Sequence, residues 1–146
     1  MAEQWSIANA LKRKPANFNR MTRIMLEEAG WTVELSQSFN AVHNLSKDLF
    51  GFADLIAFLP NSSLPPILIQ ACGTGDRTKR LRKIFNIKAA RDWVNKDYRE
   101  IWLIHWNNPQ RSANSTGKWH ARIEIIKEKA FEHFYSTGEV PQCPKG

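Results

Sequence analysis

Residues 50–59 read FGFADLIAFL, an almost wholly apolar run interrupted by one aspartate, Asp54. A run of this kind reads as a strand covered on both faces. Residues 60–66, PNSSLPP, can only turn, and residues 67–72, ILIQAC, are apolar again. Two buried strands joined by a turn predict an antiparallel pair. Side chains alternate along a strand, so Asp54 shares a face with Phe52 and Ile56, and Gln70 shares one with Cys72. Pairing across the turn brings Asp54 and Gln70 together. An ionised carboxylate in such a strand costs several kcal/mol unless something compensates it. A metal ion is one partner; an arginine or a ring of backbone N–H groups is another.

Working outward, Phe18, Met21, Ile24, Met25 and Ala29 recur at helical spacing, with Asn17 or Asn19 placed to cap the start and Gly30 to follow the end. Residues 31–35, WTVEL, alternate as a half-buried strand, and 36–48 form a polar connection with room for a short strand around 41–44. After Gly73-Thr74-Gly75 a basic helix is expected, its apolar stripe formed by Leu81, Ile84 and Phe85. Asn86 is placed to cap a second helix carrying Ile87, Ala90, Trp93 and Val94. Residues 101–106, IWLIHW, are a further buried strand, and 107–117 a polar loop. Residues 119–126 read as a strand that leads into a terminal helix with Phe131, Phe134 and Tyr135. The order is helix, three strands, helix, strand, with an added strand and helix: an α/β fold. Residues 1–17 read as a basic N-terminal arm, 18–137 as one domain and 138–146 as a loose tail.

The net charge of +7 is concentrated. Residues 77–91 hold Arg77, Lys79, Arg80, Arg82, Lys83, Lys88 and Arg91 and no acid; outside them 14 basic residues stand against 14 acidic ones. Lys12, Arg13 and Lys14 form a smaller cluster. Concentrated positive charge suits a polyanion, because neutralising phosphates releases condensed counterions; a solvated basic helix face is the plainer alternative. No apolar run is long enough to cross a bilayer and no signal-peptide pattern opens the chain, so a cytoplasmic protein without a membrane partner is expected. Cys72 and Cys143 are too few for a disulfide framework, and the four histidines show no zinc-ligand spacing. Trp31, Trp93, Trp102 and Trp106 fall on apolar stripes. Trp5 and Trp119 lie beside basic or polar residues, where an indole can stack on a base or pack.

The run from about Arg20 to Trp106 resembles the PD-(D/E)XK nucleases, and within them the small Holliday junction resolvase-like proteins. The resemblance lies in the helix ending EEAGW, the strand TVEL, then KDLFGFADLIAF, ILIQACGTGDRTKRLRKI and REIWLIHW. It implies a three-layer restriction-endonuclease-like core, α-β-β-β-α-β, with a mixed central sheet flanked by helices and here a C-terminal strand and helix added. Asp54 then takes the place of the motif's aspartate, Gln70 that of its second acid and Cys72 that of its lysine. Asp54 and Gln70 would hold Mg²⁺ or Mn²⁺. Gln70 offers a carbonyl oxygen but no charge, and Cys72 cannot do a lysine's work, so Lys79, Arg80 or Lys83 would have to reach back from the basic helix. The resemblance also implies a homodimer.

Three readings follow. One is a metal-dependent DNA endonuclease with Asp54, Gln70, Cys72 and Lys79 at its centre and Arg77, Lys79, Arg80, Arg82, Lys83, Lys12, Arg13 and Lys14 holding nucleic acid. Another is a nuclease-fold protein that binds DNA without cutting it. The third is a phage-type interaction protein whose basic helix meets an acidic protein partner.

Overall fold

The computed structural model describes residues 5–7, 17–36, 48–107 and 119–143. Helix α1 (Phe18–Glu28) starts where the Asn17 side chain accepts a hydrogen bond from the Arg20 N–H at 3.2 Å. It stops at Ala29 because Gly30 takes a φ of +97°, a conformation that favours glycine. Strands β2 (Thr32–Leu35), β3 (Leu55–Phe58) and β4 (Ile67–Gly73) form an antiparallel meander. A 3₁₀ turn, α2 (Arg77–Phe85) and α3 (Lys88–Trp93) then return the chain to β5 (Ile101–Asn107), which runs parallel to β4. Strand β6 (Trp119–Ile126) is antiparallel to β5, and α4 (Glu128–Thr137) follows it. A three-residue strand, β1 (Trp5–Ile7), pairs with β6, giving one mixed sheet in the order β1-β6-β5-β4-β3-β2.

Each face of the sheet has its own core, as the alternation predicts. Met21, Met25 and Leu26 of α1 pack on Leu55, Ala57, Ile69 and Ile104. On the opposite face Leu81, Ile84 and Phe85 of α2 and Phe131 of α4 pack on Leu68, Cys72 and Leu103. Trp106 is buried on the α1 face, and its indole N–H donates to Thr22 Oγ1 at 3.0 Å. Trp119 is also core, so it has no face free for a base.

Four expectations change. The strand expected over 50–59 covers only 55–58. Phe50 and Gly51 adopt φ of 54° and 84°, which folds Leu49 back onto Ala53 in a tight turn. Asn86 does not start a helix; its side-chain amide donates to the Arg82 carbonyl at 2.8 Å and closes the end of α2, while extended Ile87 precedes α3. Part of the supposed N-terminal arm joins the sheet as β1. Part of the supposed tail is held too: Pro141 O accepts from Arg77 and Cys143 Sγ from Arg122. The short strand expected around 41–44, most of the 107–117 loop and the cluster Lys12, Arg13 and Lys14 lie outside the described residues. Among the described residues no helix is long and apolar enough to cross a membrane.

Candidate functional site

Asp54 sits in a bend immediately before β3, and its backbone N–H donates to Ile69 O on β4 at 2.8 Å. That bond extends the β3–β4 ladder by one residue and sets the carboxylate beside Gln70. The Gln70 amide donates to Asp54 Oδ2 at 2.5 Å, and the Ala71 N–H donates to the same oxygen at 3.3 Å. On the other side Ser36 anchors the bend: its N–H donates to Asp54 O at 2.9 Å, and its hydroxyl lies 2.7 Å from Ala53 O. Asp54 and Gln70, expected to meet, do meet.

Asp48 is a member of the site that the sequence does not announce. Its carboxyl faces Asp54 and accepts from Lys83 Nζ at 3.0 Å. Burial pushes the Asp54 carboxyl up to about 6; the Ala71 N–H opposes that rise, Asp48 adds to it and the Arg80 guanidinium opposes it. Two acids and an amide thus converge, with two cations of α2 against them. Gln70 Oε1 and Arg80 Nε are buried and have no hydrogen-bond partner among the described residues, a costly condition for a polar atom.

The remaining expected residues separate into three groups. Cys72 is buried at the α2 interface, and burial pushes its thiol up to about 12, so it stays neutral. Lys79 and Arg82 are exposed on the outer side of α2. Lys79 is therefore not the cation that turns to Asp54; Arg80, one residue on and nearer the apolar stripe, takes that role. Arg77 is committed elsewhere. It donates to both oxygens of Glu124, at 2.6 and 2.7 Å, and to Pro141 O at 2.6 Å.

Glu124 belongs to a second polar cluster on the same face of the sheet. His105 Nε2 lies 2.9 Å from Glu124 Oε2, and Cys143 stands close to both. Burial pushes the Glu124 carboxyl up, but the neighbouring His105 and Arg77 outweigh that and hold it below the usual carboxylate range. A signal exists in the sequence, for His105 in IWLIHW and Glu124 in ARIEII interrupt apolar strands as Asp54 does.

A cavity of about 830 Å³ opens on the α1 face, around the start of β4 and the end of β6, with Trp31, Leu64, Tyr98, Trp102 and Ile125 in its lining. Asp97 and Glu100 also line it, with Lys127 as its one basic residue, a charge pattern unsuited to phosphates. Comparison with family models, with curated proteins and with solved structures found no match.

Proposed function

We propose that this chain is a nucleic-acid-binding protein built on the PD-(D/E)XK nuclease core, and that it cuts DNA phosphodiesters with a divalent cation held by Asp48, Asp54 and Gln70. One observation carries the reading: the Asp54–Gln70 pair lies across β3 and β4, with Asp48 opposite it and Arg80 and Lys83 reaching in from the basic helix. The order α1, three-stranded meander, α2, parallel β5 supports it, being the order that the resemblance implies.

The donor set fits Mg²⁺ or Mn²⁺, hard ions that take carboxylate and carbonyl oxygens. Asp54 is raised by burial and by Asp48, a strain that a cation relieves, and Gln70 Oε1 is an oxygen in want of a partner. Such an ion would polarise the phosphoryl group and make a bound water acidic. Arg80 supplies positive charge beside Asp54, and Lys83 holds Asp48 in place. Lys79 and Arg82, turned outward, meet the phosphate backbone.

A second reading has support of its own. Cys72, which the resemblance sets against the family's lysine, is a buried neutral thiol, and this favours a protein that binds DNA without cutting it. One experiment separates the two. Branched and linear DNA are incubated with the chain and Mg²⁺ or Mn²⁺, beside Asp54→Ala and Asp48→Ala variants. Metal-dependent cutting lost in both variants supports the nuclease. Binding that weakens steeply with salt, with no cutting, supports the second reading. Absence of binding at low salt overturns both and leaves an acidic protein as the partner.

A further inference from the structure

We propose that His105, Glu124 and Cys143 form a zinc site that ties the C-terminal segment to the sheet. The ligand atoms of these three residues lie within 4.8 Å of one another. They come from β5, β6 and the chain beyond α4, a combination that no ligand spacing in the sequence displays. Imidazole, carboxylate and thiolate are the donors that Zn²⁺ takes, at roughly 2.0–2.3 Å in tetrahedral array. Bonds of that length put neighbouring ligand atoms about 3.3–3.7 Å apart. His105 Nε2 and Glu124 Oε2, at 2.9 Å, are near that spacing already. The longest edge must close by about an ångström, and Cys143, half-buried and near the end of the described chain, is the ligand with room to move.

The second observation is His105 itself. It is 1% exposed, its Nε2 is held by the 2.9 Å contact with Glu124 Oε2, and its Nδ1 has no hydrogen-bond partner among the described residues. A buried ring nitrogen without a partner is expensive. A metal in place of the Nε2 proton keeps Glu124 as its neighbour and fixes the imidazole tautomer.

Arg77 and Arg122 compete with a cation, so their placement decides the sign. Arg77 takes one lone pair on each Glu124 oxygen, and a carboxylate has about four such sites. It can therefore orient a ligating carboxylate from behind, as outer-shell partners of metal sites do. Arg122 donates to Cys143 Sγ at 3.2 Å, which holds the sulfur on the side of His105 and Glu124. On binding, the Cys143 thiol releases its proton to solvent, and the ion with one carboxylate and one thiolate sums to no net charge. The fourth position falls to water.

The full-length chain, stripped of metal, is titrated with Co²⁺ alone and then with Zn²⁺. One equivalent of Co²⁺ produces a thiolate-to-cobalt charge-transfer band, which Zn²⁺ bleaches, and Zn²⁺ raises the melting temperature. Cys143→Ser, a change at a half-buried position that leaves the core intact, loses the band and weakens Zn²⁺ affinity by about a hundredfold or more. Asp54→Asn keeps the band, since oxygen ligands at that site give none. No charge-transfer band in the wild-type chain, or the same band in Cys143→Ser, would overturn the site and leave Arg77, Glu124 and His105 as a closed ion-pair cluster.

Discussion

The amide of Gln70 donates to the carboxylate of Asp54 across 2.5 Å, joining β4 to the bend before β3 through two buried side chains. Replacing Gln70 by leucine removes the donor and keeps the size. Chemical denaturation should then show a loss of about 1–3 kcal/mol at neutral pH, the cost of a buried polar group left without its partner. An unchanged midpoint would mean that the Ala71 N–H is enough.

Asp54 has a pH signature. Its folded pKa, about 6, stands above its ordinary 3.8, so folding favours the protonated form. The stability it contributes is complete below about 3.8 and fades as pH rises through about 6. Asp54→Asn should abolish that dependence and leave the variant more stable than the wild type at pH 7, by up to about 3 kcal/mol. Mg²⁺ should narrow the gap by stabilising the wild type alone. Parallel stability–pH curves for the two chains would refute the assignment.

Glu124 works with the opposite sign. Its folded pKa is depressed, so its contribution is present above the ordinary carboxylate range and is lost as pH falls through the folded value. Arg77→Met breaks a buried pair and leaves the acid uncompensated, an effect of roughly 3–5 kcal/mol. The same chain in acid should lose less than the wild type on further acidification, which thermal melts at a series of pH values would reveal.

On α2 the outward cations are separable from the inward ones. Lys79→Glu with Arg82→Glu should leave the melting temperature within about 2–4 °C, since each surface change seldom exceeds ±0.5 kcal/mol. It should also weaken binding to any duplex and flatten the salt dependence by about 0.9 in log–log slope for each phosphate no longer neutralised. An unaltered slope in fluorescence anisotropy titrations would place the nucleic-acid surface elsewhere.

Thr22 and Trp106 offer a control far from charge. Thr22→Val keeps the shape and strands the indole N–H in the core, at a cost of about 1–3 kcal/mol. Nucleic-acid binding should be untouched.

Much of this is legible in the residues, and the reasons differ by element. The meeting of Asp54 and Gln70 follows from period-two alternation and a turn too short to permit anything but a hairpin. The phase of α2 is equally available, because the stripe Leu81, Ile84 and Phe85 turns Arg80 toward the sheet and Lys79 away from it. Asp48 is hidden because it ends a polar connection whose path no periodicity dictates. The strand at 50–59 reads too long because composition cannot reveal that Phe50, like Gly51, adopts a positive φ. The Arg77–Glu124–His105 cluster joins residues 47 and 19 positions from Glu124, and only the sheet register brings them together.

Strand β1 pairs Trp5 with Ala121 and Ile7 with Trp119. During synthesis the first of the described strands must therefore wait for the last of them, while the β2–β4 meander can close from neighbouring residues. Ribosome-bound nascent chains ending before Trp119 would hold an incomplete sheet with β5 uncovered along one edge, the state in which such chains most need a chaperone.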